Sequence, residues 1–331
     1  MAEGSEAAPS PASLGERAVR PANSEPRSGG ALGGVRGLTG IICACLTPFD
    51  DDDRVDYAAL EREINYIVDE CQVDAISIAA VEAAEYTRLS WEERQELIRA
   101  AVAMVDRRLP TIAGCSHQNP RMVIQMSEAA ASVGADLAQV LIPVLPWGGE
   151  PDDDELTLFF EEVAERSALP IVAYHNPGPG ADPGYGAFVR LSAIPRVHYF
   201  KESSRDTQKV ARMIEEIDRA GNAGYFTTMQ PLLMTLLMGG SGATMPPPGA
   251  RIGARVVKAF RAGDLSEAHR WQRLYAAFPS KWPTYGLPPV MKAALQEIGV
   301  DIGHPARPYL PVAPADRLQI RELLREAELI E

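Results

Sequence analysis

Short apolar segments alternate with longer amphipathic segments along the chain from Gly37 onward. The short segments read as strands buried on both faces, as in a parallel sheet, and the longer ones repeat apolar positions with helical spacing. The predicted strands are 40–46, 74–80, 110–113, 137–142, 170–174, 197–201, 223–227 and 243–245. The helices that follow them are predicted near 56–70, 90–107, 119–133, 153–168, 184–193, 206–220, 230–238 and 249–262.

This pattern predicts an α/β fold of the (β/α)8 TIM-barrel type. Eight strand–helix units favour a closed barrel over an open sheet, which commonly has five or six strands. Helix starts are marked by Asp56 and by Ser90, which is followed by Glu93 as in a capping box. No glycine-rich dinucleotide fingerprint follows the first strand, where Thr47-Pro48-Phe49 stand instead.

The pattern divides the chain into three parts. Residues 1–36 are rich in Ala, Ser, Pro, Gly and Glu and predict a disordered tail, because they offer little apolar surface to bury. Residues 37–262 form the predicted barrel. Residues 263–331 predict a helical extension, with helices near 264–279, 286–298 and 315–330, that packs on the barrel and contributes to a subunit interface.

Composition narrows the possible functions. The chain has 331 residues, 46% hydrophobic and 23% charged, with a net charge of −13. This acidic balance argues against a nucleic-acid partner, and no apolar run reaches the length of a membrane span. Cys43, Cys45, Cys71 and Cys115 follow no zinc spacing and are expected to be buried reduced thiols, which points to a cytoplasmic protein.

Candidate chemistry lies at the C-terminal ends of the strands, where TIM barrels place their active sites. Lys201 ends the sixth strand and Tyr174 the fifth. A lysine enclosed in an apolar barrel end can act as a neutral amine and attack a carbonyl carbon, while a phenol can transfer protons. The alternative is a structural lysine paired with Glu85 or Glu202.

Other side chains at these strand ends are candidates for binding a substrate. They are Thr47 after the first strand, Glu82 and Ala83 after the second, Leu145 after the fourth, His175 after Tyr174, Thr227 after the seventh and Thr244 in the eighth. His175 should point to the opposite face of its strand from Tyr174, because successive side chains alternate.

A set of short motifs resembles the dihydrodipicolinate synthase/N-acetylneuraminate lyase superfamily of class I aldolases and dehydratases. The motifs, from about 38 to 300, are Leu46-Thr47-Pro48-Phe49 with Val55-Asp56, Glu85…Leu89-Ser90…Glu93-Arg94, Ala113-Gly114, Gly134-Ala135-Asp136, Tyr174-x-x-Pro177, Lys201-Glu202-Ser203-Ser204 and Gly240-Ser241-Gly242. The resemblance implies that Lys201 forms a Schiff base and Tyr174 transfers the proton. It also implies a C-terminal helical region, a homotetramer or homodimer, and no cofactor, since the lysine itself is the electron sink.

The chain departs from this superfamily in three places. The Gly-Thr-Thr-Gly-Glu loop that holds a keto-acid carboxylate becomes 81–85, read Val-Glu-Ala-Ala-Glu. Glu82 facing a substrate carboxylate at about 4 Å would repel it by about 4 kcal/mol at an effective dielectric near 20. Either another group holds the carboxylate, or the substrate carries none there, or Glu82 is protonated and acts as an acid or base. Alternatively, Glu82 points away and pairs with Arg88 or another cation at the barrel rim. The paired tyrosines after strand 4 become Val144-Leu145, with Trp147 beyond, and Gly178-Pro179-Gly180 replace an arginine.

The sequence therefore predicts a Schiff-base lyase, an aldolase or dehydratase acting on a 2-oxo acid or related carbonyl compound. Synthase activity of the lysine pathway is not expected. An apolar pocket suggests a bulkier or less polar substrate; its residues are Val81, Ala83, Leu145, Trp147, Met229 and Met245. Two alternatives remain: a catalytically silent paralogue that binds a small ligand, and a metal-dependent barrel enzyme using His117, His175 and Glu82.

Overall fold

Eight parallel strands close into a barrel in the computed structural model, which describes residues 37–81, 83, 85–145, 149–278 and 281–331. Each strand pairs with its neighbours in chain order, and β1 pairs with β8 to complete the ring. The strands are β1 (Gly40–Ala44), β2 (Ala75–Ile78), β3 (Thr111–Gly114), β4 (Leu137–Leu141), β5 (Ile171–His175), β6 (Val197–Glu202), β7 (Gly224–Thr227) and β8 (Gly242–Met245). The predicted (β/α)8 barrel is confirmed.

A helix follows each strand and covers its outer face. The helices are α1 (Tyr57–Glu70), α2 (Trp91–Val105), α3 (Pro120–Ser132), α4 (Asp153–Arg166), α5 (Tyr185–Ser192), α6 (Thr207–Met213), α7 (Leu232–Leu237) and α8 (Gly249–Arg261). Asp56 caps α1 by accepting from the amides of Ala58 and Ala59, and Ser90 with Glu93 forms the predicted capping box of α2. The region predicted as one helix at 206–220 is α6 continued by a π-helical turn, Ile214–Asp218.

Large side chains fill the interior of the barrel. One inner layer takes a residue from each of seven strands together with Leu38, and a smaller cluster near the C-terminal end joins Val81, Leu141 and Tyr174. The inner layer from the strands consists of Ile42, Ala75, Ile112, Leu137, Val172, Tyr199 and Phe226. The interior is therefore a packed core, and a small molecule can enter from the strand ends.

The C-terminal region consists of α9 (Leu265–Ala277), α10 (Trp282–Tyr285), α11 (Leu287–Glu297) and α12 (Pro314–Glu326). The segment after α11 reaches the loop that follows β1: His304 forms a bridge with Phe49, and its Nε2 lies 2.8 Å from the Asp50 carbonyl oxygen. Gly303 fits tightly there, because a Cβ atom at this position would lie 2.3 Å from the Phe49 carbonyl oxygen.

The C-terminal region therefore contacts the end of the barrel at which the C-termini of the strands lie. The described residues from Gly37 to Glu331 belong to one compact unit. The predicted disordered tail, 1–36, lies outside the described residues.

Candidate active site

β5 and β6 bring Tyr174 and Lys201 together at the C-terminal end of the barrel. The two are register partners, so their side chains leave the sheet on the same face. Lys201 Nζ lies 3.9 Å from the centroid of the Tyr174 ring. Tyr174 is fully buried, while Lys201 keeps 9% of its surface exposed. A primary amine and a phenol can therefore reach one small bound molecule.

A β-bulge in β6 creates this pairing. Ile171 pairs with Val197 but Val172 pairs with Tyr199, which makes His198 the extra residue of β6. In an unbroken ladder Tyr174 would lie opposite Phe200. Because side chains alternate along a strand, the shift by one residue brings Lys201 to the inner face in place of Phe200.

Asn176 orients the phenol of Tyr174. Its Nδ2 donates a hydrogen bond of 2.8 Å to the phenol oxygen. The oxygen thus acts as an acceptor toward Asn176, and the phenol's own hydrogen is directed to another group. A phenol held in this way can pass a proton along a defined direction.

His175 lies on the helix-facing side of the strand, as the alternation predicts. Its ring packs edge-on against Phe188 of α5, with the ring centroids 4.9 Å apart. Its Nδ1 lies 3.0 Å from Glu202 Oε1, and its Nε2 lies 2.9 Å from Asp182 Oδ1. The structure therefore places His175 behind the Tyr174–Lys201 pair and not beside it.

Glu202 joins this arrangement to β7. Its other oxygen accepts a hydrogen bond of 3.2 Å from the Tyr225 hydroxyl. Burial alone would raise the pKa of Glu202, but hydrogen bonds from His175 and Ser204 outweigh it and hold the pKa below its ordinary value. This carboxylate, one of the two structural partners considered for Lys201, is thus bound to other groups.

Glu85, the other partner considered for Lys201, forms a buried ion pair with Lys292 of α11. Glu85 Oε2 lies 2.8 Å from Lys292 Nζ, and Glu85 Oε1 accepts from the amide of Ala306. Lys292 also donates to the carbonyl oxygens of Thr47 and His304, at 2.7 and 2.9 Å. Sequence reasoning missed Lys292, although a lone lysine in the apolar segment 287–295 is a detectable signal.

The loop after β2 forms an apolar wall beside Tyr174. Val81 packs with Tyr174 and Leu141, Tyr86 packs against this cluster, and Ala83 is buried. Glu82, predicted to bind substrate, lies outside the described residues. The apolar character expected of the pocket is present in the part of the loop that the structure describes.

The three candidate threonines occupy different environments. Thr47 is buried after β1, where Lys292 binds its carbonyl oxygen. Thr244 pairs in register with Ile42, an inner-layer residue, and its buried hydroxyl has no hydrogen-bond partner among the described residues. Thr227 instead bonds to Thr235 of α7 at 3.0 Å, so the structure places it on the outer face and apart from Lys201.

Leu145, the candidate after β4, is half-buried, and its amide donates to the carbonyl oxygen of Gly149 at 3.0 Å. Met229 and Met245 are buried at the ends of β7 and β8. Trp147 lies outside the described residues. Among the apolar residues that were named from the sequence and are described in the structure, Val81 belongs to the same buried cluster as Tyr174.

A second residue that the sequence reasoning missed is Glu63, which is fully buried in α1. Its Oε1 accepts a hydrogen bond of 2.7 Å from the amide of Leu46, and its Oε2 has no hydrogen-bond partner within the described ranges. Burial raises the pKa of Glu63 to about 8, although the hydrogen bond from Leu46 and the charge of Lys292 oppose this rise. Glu63 occupies a core-facing position beside Leu60 and Ile64, which is a visible sequence signal.

Metal-binding clusters and membrane-spanning helices are both absent from the part of the chain that the structure describes. Outside 1–36, 82, 84, 146–148 and 279–280, no three His, Cys, Asp or Glu side chains are grouped so that they could bind a metal ion. Over the same part of the chain, every helix is too short or too polar to cross a bilayer. The four cysteines are buried and unbridged.

The closed barrel with its extra C-terminal helices defines the structural class, and comparisons with known proteins define the family. The model of the dihydrodipicolinate synthetase family matches residues 37–327. The chain therefore belongs to that family, whose members include Schiff-base lyases.

Individual relatives are distant. The chain is 27% identical over 296 residues to a 4-hydroxy-tetrahydrodipicolinate synthase from Prochlorococcus marinus (strain MIT 9211), covering 88% of this chain and 95% of the relative. A dihydrodipicolinate synthase structure from Bacillus anthracis superposes with a TM-score of 0.79 at 26% identity, covering 88% of this chain and 99% of that one. An N-acetylneuraminate lyase from Mycoplasma synoviae shares the fold, with a TM-score of 0.75 at 20% identity over 87% and 98% of the two chains.

Proposed function

We propose that the protein is a lyase that acts on a 2-oxo acid or a related carbonyl compound through a Schiff base on Lys201. The observation that carries the proposal is the enclosed pair at the strand ends, with Lys201 Nζ 3.9 Å from the centre of the Tyr174 ring. Membership of the dihydrodipicolinate synthetase family supports it.

The proposed reaction begins when the neutral amine of Lys201 attacks the carbonyl carbon. The carbonyl oxygen leaves as water after two protons reach it, and a protonated imine remains. In aldol cleavage this imine accepts the electron pair of the breaking carbon–carbon bond and becomes an enamine. In dehydration it accepts the pair of a neighbouring C–H bond after the proton is removed, and the enamine then expels the β-hydroxyl group, which takes the carbon–oxygen pair and a proton and leaves as water. Tyr174 moves the protons, because its phenol is buried beside the amine and is oriented by Asn176.

The substrate is proposed to differ from that of the synthases among the relatives. Their name describes 4-hydroxy-tetrahydrodipicolinate synthesis, but in this chain Ala83 occupies a position where a threonine of the superfamily holds a carboxylate. Val81, Leu141 and Tyr174 form an apolar cluster at the site. These features favour a bulkier or less polar carbonyl compound, and we expect no 4-hydroxy-tetrahydrodipicolinate synthase activity.

Borohydride trapping tests the mechanism. The protein is incubated with pyruvate, sugar-derived keto acids and aromatic aldehyde–pyruvate adducts, and borohydride then delivers hydride to the imine carbon. We expect intact mass to show one adduct, and peptide mapping to place it on Lys201. A Lys201→Arg variant is the control that should form none. An absence of adduct across the panel would refute the mechanism.

A ligand-binding paralogue without catalysis is the second candidate, favoured because Glu82 and Ala83 stand where the superfamily has its two threonines. It would bind a member of the same panel tightly, with neither turnover nor an imine. The family resemblance further leads us to propose a homotetramer or homodimer, which light scattering of the purified protein measures.

A further inference from the structure

Lys292 lies outside the pair that performs the proposed chemistry, yet it is one of the most enclosed charges among the described residues. Its side chain is 1% exposed, and it belongs to α11, in the C-terminal region. An ammonium group has three N–H donors. Here the ammonium donates hydrogen bonds to the Thr47 and His304 carbonyl oxygens at 2.7 and 2.9 Å. It also forms an ion pair with Glu85, whose Oε2 lies 2.8 Å from Nζ. The nitrogen also lies 4.7 Å from the centre of the Phe49 ring.

These contacts join three separate parts of the site. Thr47 follows β1, Glu85 ends the loop after β2, and His304 belongs to the segment after α11. Glu85 is bound a second time, since its Oε1 accepts from the amide of Ala306 at 2.8 Å. One buried ion pair therefore fixes the loops after the first two strands to the C-terminal region.

The loop after β2 needs such anchoring. It begins at Ala79 and ends at Glu85, and both residues have positive φ, 54° and 50°. Non-glycine residues adopt this conformation only where the surrounding structure enforces it. At the start, Gly114 of β3 allows close approach, because a Cβ there would lie 2.0 Å from the Ala79 carbonyl oxygen. At the end, Lys292 holds Glu85.

The anchored loop is the wall of the candidate site. Val81 packs in one buried cluster with Leu141 and Tyr174, and Tyr86, the residue after Glu85, packs against the same cluster. A displacement of Glu85 would therefore move the wall relative to the phenol, and through Thr47 it would also move the end of β1.

We propose that Lys292 is a positioning residue which, through Glu85 and Thr47, sets the loop after β2 against the Tyr174–Lys201 pair and so determines how tightly a 2-oxo acid binds. This inference rests on the proposed function. Lys292 does not touch the reacting atoms in it. Its effect is expected in the concentration dependence of imine formation and not in the chemistry of the imine.

Three variants separate positioning from plain stability. Glu85→Gln keeps an acceptor for the Ala306 amide and the volume of the side chain, but it removes the charge that Lys292 faces. The double variant Lys292→Met/Glu85→Gln removes both charges, so that neither is left buried alone. Glu297→Gln is the matched control, because Glu297 binds Arg317 and Arg321 within the C-terminal region and has no contact with the strand-end loops among its described partners.

The measurement is borohydride trapping on Lys201 over a range of pyruvate concentrations, or of whichever 2-oxo acid the wild type traps best. It is made below the thermal unfolding midpoint of each variant. In Glu85→Gln and in the double variant, we expect the half-saturating concentration of the 2-oxo acid to rise about tenfold or more. The trapping rate at saturation should stay within a few-fold of wild type. Glu297→Gln should leave the half-saturating concentration unchanged.

An unchanged half-saturating concentration in a folded Glu85→Gln variant would overturn the inference while leaving the Schiff-base proposal intact. An equal rise in Glu297→Gln would overturn it as well, because the effect would then belong to general loosening of the C-terminal region. If the wild type itself forms no adduct, the proposed function fails and the positioning role fails with it. Should the double variant not fold, Glu85→Gln alone decides.

Discussion

Glu63 makes the folding stability of this protein depend on pH in an unusual direction. Its carboxyl group is buried in α1 with one oxygen bound to the Leu46 amide, and burial raises its pKa from the ordinary 4.5 to about 8. Between these values the folded protein holds a proton that the unfolded chain has lost. Stability therefore falls as pH rises through this window, by about 1.4 kcal/mol per pH unit.

The total change in the free energy of unfolding follows from the same two pKa values of Glu63. The contribution is fully present below pH 4.5 and is lost as pH rises to about 8, where the folded state also releases the proton. The interval corresponds to about 5 kcal/mol, which is a large share of the stability of an ordinary domain. The physical cause is that an ionised carboxylate in this position would exchange water for a single amide hydrogen bond and the partial attraction of Lys292.

The test compares wild type with Glu63→Gln by urea unfolding at pH values from 5 to 9. Glutamine keeps the acceptor for the Leu46 amide but cannot ionise. We expect the two proteins to be similarly stable near pH 5, and the variant to become progressively more stable than wild type toward pH 8.5, by up to about 5 kcal/mol. Taking the difference between the two proteins cancels the titration of groups they share.

Glu297→Gln provides a control of opposite sign. Although burial alone would raise the pKa of Glu297, hydrogen bonds from Arg321 and Arg317 hold it below its ordinary value. Its contribution is therefore present above the unfolded pKa and is lost only as pH falls below 4.5, outside the range of the test. Between pH 5 and 9 the stabilities of Glu297→Gln and wild type should differ by a nearly constant amount. If Glu63→Gln and wild type showed parallel pH profiles from 5 to 9, the buried-carboxyl reasoning would be wrong.

Further predictions concern catalysis, binding and capping. Tyr174→Phe should lower turnover about 100-fold or more, because the phenol that transfers protons is lost. Borohydride should still trap Lys201, because the amine is unchanged. Steady-state rates and mass spectra of the trapped protein measure the two effects, and turnover equal to that of wild type would contradict the prediction. Ala83→Thr should lower the half-saturating concentration of pyruvate in trapping by restoring a hydroxyl, with Ala83→Val as the control of similar shape. Ser90→Ala should cost about 1 kcal/mol in urea unfolding by removing the cap of α2, whereas Ser132→Ala, exposed at the end of α3, should change little.

Much of this molecule could be read from local patterns. The alternation of strand and helix patterns predicted the barrel. A strand buried on both faces is a short continuous apolar run, and a helix buried on one face repeats apolar residues every three or four positions, so both are visible in the sequence. The caps at Asp56 and Ser90 depend on neighbours a few residues away and were also predictable. The ends of β5 and β6 could be located for the same reason, so that Tyr174 and Lys201 were named in advance.

The partners of the buried charged residues could not be predicted from local sequence patterns. Glu63 and Lys292 each stand in an apolar helical pattern, and the pattern alone cannot say which groups will face them. Their partners, such as Thr47 and Glu85 for Lys292, are far away along the chain. Distant partners of this kind follow from how the C-terminal region packs on the barrel, and no local periodicity encodes them.

The sequence by itself determined the barrel, the strand ends and the identity of the amine and phenol, since these depend on interactions within a strand or between consecutive elements. The tertiary structure alone decided that Lys201 faces Tyr174, through the β-bulge at His198, and that Thr227 faces α7. It also decided that Lys292 binds the loops after β1 and β2. Strand register and buried ion pairs are set by many long-range contacts together, which is why they emerge only when the ring of strands is closed.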